Sequence, residues 1–103
     1  MGARVRIGSA ADVPAGEGRC VEAAGRTLAV FNVDGRFYVV DNACPHRGGP
    51  LGDGDLAGTV VTCPWHAWRW DVTTGASVNN PAVKVACFPV TVEGDALVVE
   101  LPG

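Results

Sequence analysis

Thr27-Leu-Ala-Val-Phe-Asn-Val33, then Asp34-Gly35, then Arg36-Phe-Tyr-Val-Val-Asp41 is the stretch that decides the fold. Both runs are rich in β-branched and aromatic residues, which pack well on a pleated surface. The Asp-Gly pair between them is a good two-residue hairpin signal. Working outward, the same grammar repeats. Arg19–Ala24 precedes Thr27–Val33 across Ala24-Gly25-Arg26, and Thr59–Thr62 and Trp68–Val72 lie further on. Val83–Cys87, Val90–Glu93 and Ala96–Leu101 close the chain, with Gly94-Asp95 as another hairpin turn. Ser9–Pro14 reads as a single helical turn capped by Ser9. No long amphipathic helical period is present, so the expectation is an all-β, antiparallel sandwich or small barrel.

Composition agrees. With 103 residues the chain has room for one core, and 48% hydrophobic against 18% charged residues favours folding over disorder. Fourteen Gly and seven Pro supply turns. The expected organisation is a single domain over residues 1–103. A net charge of −3 argues against nucleic acid as the main partner and suits a basic patch on a protein partner. The opening Met1-Gly-Ala-Arg-Val-Arg-Ile7 contains no signal peptide or membrane span, and Arg6 breaks the myristoylation pattern, so the expected location is cytoplasmic. Four cysteines in that compartment are expected as metal ligands or free thiols rather than disulfides.

One region breaks the strand rhythm. From Asn42 to Gly58, Gly, Pro and Asp dominate, and a loop this long in a compact domain usually has a function. Within and just after it stand Cys44-Pro45-His46 and Cys63-Pro64-Trp65-His66, a C-x-H-x16-C-x2-H pattern holding both histidines of the chain. Residues i and i+2 of extended backbone point the same way, so Cys44 and His46 can reach one site. A turn brings Cys63 near His66. Pro after each Cys pre-sets φ, while Gly48 and Gly49 permit close backbone approach. Tight loops also aim N–H groups inward, towards sulfur.

Two Cys and two His suit either zinc or a [2Fe–2S] cluster. Zinc modules usually pair two Cys from one knuckle with two His from a helix, whereas each unit here mixes one thiolate with one imidazole. That arrangement favours a cluster with thiolates on one iron and imidazoles on the other.

Both boxes, Cys44-Pro-His46-Arg-Gly-Gly49 and Cys63-Pro-Trp-His66, resemble the two cluster-binding boxes of the Rieske family, as does Asp71-Val-Thr-Thr-Gly75 behind them. The resemblance covers nearly the whole chain. It implies the Rieske fold, a β-sandwich with a loop-rich cluster-binding subdomain at about residues 42–72, and one [2Fe–2S] cluster on Cys44, His46, Cys63 and His66. High-potential members carry a disulfide between the cluster loops, at places occupied here by Gly49 and Trp65. They also aim Ser and Tyr hydroxyls at the cluster from places occupied here by Trp68 and Trp70. Hydrogen bonds to cluster sulfur stabilise the reduced state, so their loss predicts a potential near the low end of the Rieske range of about −150 to +300 mV.

Such low-potential members resemble stand-alone ferredoxins. The expected function is therefore carriage of single electrons from a reductase to a terminal enzyme such as a ring-hydroxylating oxygenase, with no catalysis of its own. The alternative is a small subunit permanently bound to a reductase, similar to that of nitrite reductase. A redox sensor and a structural zinc module are the remaining readings. The chain's two His are both used by the cluster, leaving none for the mononuclear iron that an oxygenase needs. Gly52-Asp-Gly-Asp-Leu-Ala-Gly58 is only loosely like a dinucleotide loop and reads as plain loop.

Among the remaining residues, Cys20 and Cys87 are expected as buried small hydrophobes. Trp68 and Trp70 share a strand face, so at least one belongs to the core, whereas Trp65 is the candidate for shielding the cluster. Pro81, in Asn79-Asn-Pro81, resembles the family's third covering loop.

Overall fold

The structure, a computed structural model, describes residues 3–43, 49–65 and 68–101. These form ten strands: β1 (Ala3–Ser9), β2 (Gly18–Ala23), β3 (Arg26–Val33), β4 (Arg36–Asp41), β5 (Asp55–Ala57), β6 (Val60–Thr62), β7 (Arg69–Asp71), β8 (Cys87–Phe88), β9 (Val90–Glu93) and β10 (Ala96–Leu101). Two short 3-10 turns, Ala10–Asp12 and Leu51–Asp53, are the helical elements among the described residues. The expectation of an all-β antiparallel fold is met.

The strands form three antiparallel sheets, in the orders β1-β10-β9, β2-β3-β4-β8 and β5-β6-β7. The middle sheet sits between the other two, and β3 shows why. Its Leu28 and Val30 belong to one buried core with Leu97 and Val99 of β10. Its Ala29 and Phe31 belong to a second core with Val61 of β6 and Trp70 of β7. Successive side chains of a strand point to opposite faces, so a strand buried on both faces must be apolar throughout. Leu28, Ala29, Val30 and Phe31 meet that need.

The hairpins are set by their turns. Ala24-Gly25 has φ of 51° and 78°, and Asp34-Gly35 has 51° and 88°. Positive φ at both positions matches the twist of the flanking strands. The resulting registers place Leu28 opposite Val21 and Phe31 opposite Tyr38.

Differences from the sequence expectation have physical causes. Strands β1 and β5 have no counterpart in the sequence reading. Strand β1 is held by β10, in a register from Ala3 opposite Leu101 to Ser9 opposite Ala96. Strand β5 lies inside the Gly- and Asp-rich stretch and is held by β6. The expected strand Val83–Cys87 shrinks to Cys87–Phe88, preceded by an isolated bridge between Ala76 and Lys84. The expected helical turn is present as Ala10–Asp12, but the Ser9 hydroxyl does not cap it; Asp12 Oδ2 instead accepts from the Ser9 N–H at 3.0 Å.

Cys20 and Cys87 correct the expectation of burial. Both are exposed free thiols. Cys20 lies on the edge strand β2, where its Sγ meets Asn42 Oδ1 at 3.2 Å and Asp53 Oδ1 at 3.6 Å. Desolvation by those neighbours, followed by the charge of Asp53, pushes the Cys20 thiol up from its ordinary pKa. Desolvation, followed by Asp71, does the same for Cys87.

Candidate metal centre

Of the four expected ligands, Cys63 lies among the described residues; Cys44, His46 and His66 lie outside them. Cys63 directly follows β6 and is buried, with 1% of its surface exposed. Its backbone N–H donates to the Trp68 carbonyl at 2.7 Å. That bond extends the β6–β7 ladder past the Thr62–Arg69 pair and closes the base of the second loop. Cys63 and Val61 therefore share a face, as do Trp68 and Trp70 opposite them, and all four meet the core beneath the middle sheet.

The base of the first loop is closed equally firmly. Ala43 and Pro50 form an isolated antiparallel bridge. The Leu51 N–H donates to the Asn42 carbonyl at 2.9 Å, and the Gly52 N–H donates to Asn42 Oδ1 at 2.8 Å. Asn42 is itself tied to β3 by its N–H donating to the Thr27 carbonyl. Through backbone and side chain together, Asn42 thus joins both ends of the loop to the sheet, and its Oδ1 also accepts from the Cys20 thiol. The sequence reading missed this role. An Asn directly before a Gly- and Pro-rich loop, where its short amide favours local backbone bonds, was the available signal.

The two loops meet at Gly49. A Cβ at this buried position would stand 2.7 Å from Cys63 Sγ and 3.0 Å from Trp65 Cβ and Cγ. Ordinary carbon contacts are at about 3.5–4.0 Å, so only glycine fits. The sequence expectation that Gly49 permits close approach is met: on this side of the Cys63 thiol the first loop presents backbone without a Cβ. A soft sulfur donor facing a wall that admits no Cβ fits an iron–sulfur cluster.

A third loop is clipped to the same ladder. Arg69 of β7 donates its N–H to Asn79 Oδ1 at 2.8 Å, and its carbonyl accepts from the Val78 N–H at 2.9 Å and from Ser77 Oγ at 3.3 Å. Buried Ser77 accepts in turn from the Asn79 and Asn80 N–H groups. The segment that carries Pro81 is therefore anchored one residue beyond Trp68. Behind it, Asp71 Oδ1 accepts from the Thr73 N–H and hydroxyl, folding Asp71–Gly75 into a tight turn.

The tryptophans divide as expected for Trp68 and Trp70: Trp70 is fully buried, and the two rings stack at 6.0 Å. Trp65 differs. Half its surface is exposed, and its Cβ and Cγ lie against Gly49. Val78, on the third loop, is 44% exposed.

Comparison with known proteins agrees with this geometry. The family model described as the Rieske [2Fe–2S] domain matches residues 3–89. The ferredoxin component of the naphthalene 1,2-dioxygenase system of Pseudomonas aeruginosa is 34% identical over 91 residues, covering 87% of this chain and 88% of that protein. The structure of Sphingomonas yanoikuyae B1 ferredoxin superposes with a TM-score of 0.89 at 35% identity, over 97% of this chain and all of that one. A chain from the complex of reduced oxygenase and oxidised ferredoxin in carbazole 1,9a-dioxygenase gives a TM-score of 0.85 at 32% identity, over 93% of this chain and 91% of that one. Boxes, fold and relatives converge: the chain belongs to the Rieske [2Fe–2S] domain family, whose members bind one such cluster through two Cys and two His.

Proposed function

We propose that this protein is the ferredoxin component of a ring-hydroxylating oxygenase system, taking single electrons from a reductase and delivering them to the terminal oxygenase. The observation that carries this reading is the buried Cys63 thiol against the bare wall of Gly49, at the junction of the two loops that hold the boxes. The named roles of the ferredoxin relatives support it.

In this reading Cys44 and Cys63 hold one iron and His46 and His66 the other. When bound, the cluster supplies reversible one-electron chemistry. The chain's own residues do the rest. The Asn42 clip and the Cys63–Trp68 bond keep the loop bases rigid, which limits the rearrangement that electron transfer requires. Gly49 lets the second loop close against the first. Trp65 and Val78 present apolar surface beside the site, and exposed apolar groups rimmed by polar ones mark docking surfaces. The whole of residues 1–103 acts as one domain in the cytoplasm, with residues 42–72 as its cluster-binding part. The midpoint potential lies towards the low end of about −150 to +300 mV.

The test is anaerobic purification followed by iron and sulfide analysis and low-temperature electron paramagnetic resonance of the dithionite-reduced protein. The expected result is a rhombic signal of low average g, lost in C63S and H66A. Stopped-flow mixing of the reduced protein with an oxidised ring-hydroxylating oxygenase should then reoxidise the ferredoxin and reduce the oxygenase. A colourless, zinc-loaded protein would overturn the proposal, as would a loaded protein that exchanges no electron with oxygenase or reductase.

A further inference from the structure

The Trp70 indole presents a buried donor with nothing to donate to. Its surface is fully buried, and Nε1 has no hydrogen-bond partner. Buried polar groups in folded proteins are nearly always paired, so an orphan calls for a physical explanation. Relaxation is an unpromising one. The Trp70 backbone is fixed on both sides, by Val61 of β6 and by a bridge to Ser77. Trp68 stacks on the ring at 6.0 Å with planes 31° apart. Ser77 Oγ is engaged with Arg69, Asn79 and Asn80. The buried side chains that share its core are hydrocarbon, including Phe31, Leu51, Val61 and Val72, with one exception, while Tyr38 and Trp68 pack against the margin. That exception is Cys63.

We infer that the Trp70 indole N–H donates to a sulfur atom of the loaded cluster site, a ligand thiolate or a bridging sulfide. The inference rests on Cys63 being a cluster ligand. Trp70 then supplies, from nitrogen, a donor at a place where the sequence carries no hydroxyl. The direction of its effect follows from charge. One electron arriving from the reductase adds negative charge to iron and sulfur without making or breaking a covalent bond. An N–H···S bond strengthens as the acceptor becomes more negative. It therefore stabilises the reduced state more than the oxidised one and raises the potential. Burial enlarges the effect, because water does not compete for the donor.

The test replaces Trp70 site-specifically with 3-benzothienylalanine, which keeps the shape of the ring and exchanges N–H for sulfur, with W70F as a second variant. Holoprotein is used throughout. Iron, sulfide and the resonance signal of the unsubstituted protein are read first, then the midpoint potentials by redox titration. Both variants should lower the equilibrium constant for one-electron reduction by about three- to tenfold, tenfold being 59 mV. The isostere carries the test if the smaller Phe ring impairs folding. Loaded isosteric protein with an unchanged or raised potential overturns the role of Trp70 while leaving the cluster site standing. Unsubstituted protein without a cluster overturns the ligand assignment, and this inference with it.

Discussion

Replacing Gly49 by Ala tests whether the two loops must touch. The added Cβ would stand 2.7 Å from Cys63 Sγ and 3.0 Å from two atoms of Trp65. That is about 1 Å inside the ordinary contact distance of roughly 3.5–4.0 Å. A free thiol would rotate away, but a thiolate held by iron has nowhere to go, so the clash falls on the loaded state. Overpacking of this kind costs about 1–3 kcal/mol. That disfavours the closed, loaded geometry by about 5- to 140-fold, since each 1.4 kcal/mol is about tenfold. At about 4–8 °C per kcal/mol for a domain near this size, the thermal midpoint of the holoprotein should fall by roughly 4–24 °C. Gly58→Ala is the control. Gly58 has φ of 61°, and a Cβ there meets nothing within 4 Å, so this variant costs about 1–2 kcal/mol of backbone strain far from any ligand. Both variants should melt earlier, but only Gly49→Ala should lose iron and labile sulfide per chain and lose visible circular dichroism. Gly49→Ala with full iron and an unchanged melting curve would refute the reasoning.

Three further outcomes are expected. Trp65→Ala removes a half-exposed ring, so melting should shift little, within about 0.5 kcal/mol, while stopped-flow electron transfer to the oxygenase slows; unchanged transfer would remove Trp65 from the docking surface. Asn42→Ala strips the acceptor from the Gly52 N–H and the Cys20 thiol, and an unpaired partly buried donor costs about 1–3 kcal/mol, read as a lower thermal midpoint. The third concerns Cys20, whose thiol is pushed up by desolvation first and by Asp53 second. A raised thiol pKa favours the neutral form in the folded state. Its contribution to stability is thus complete below the ordinary thiol pKa of about 8.5 and is lost as pH rises through the folded value. Iodoacetamide should accordingly label Cys20 slowly at pH 7 despite its exposure, and Asp53→Asn should speed labelling; equal rates in the two proteins would dismiss Asp53 as the cause.

The hairpins are legible in the sequence. Asp34-Gly35 and Ala24-Gly25 adopt positive φ because of local sterics, and a run such as Leu28–Phe31 has to be buried on both faces wherever it lies. The ligand boxes were legible for the same reason: thiolate, imidazole and Pro at short spacing are chemistry written within a few residues. Other features depend on partners distant in the chain. Strands β1 and β5 exist because β10 and β6 satisfy their backbone groups, and short polar runs carry no sign of that. The exposure of Cys20 depends on β2 being an edge strand, which is a fact about sheet order. The Asn42 clip, the Asn79–Arg69 bond and the contact between Gly49 and Cys63 each join residues ten or more places apart in the chain. The unpaired N–H of Trp70 is the sharpest case. Sequence placed an indole where a hydroxyl was missing, but only packing leaves that donor buried among hydrocarbon with sulfur in the same core. Whether a polar atom finds a partner is decided by everything the fold brings around it, and not by its neighbours in the chain.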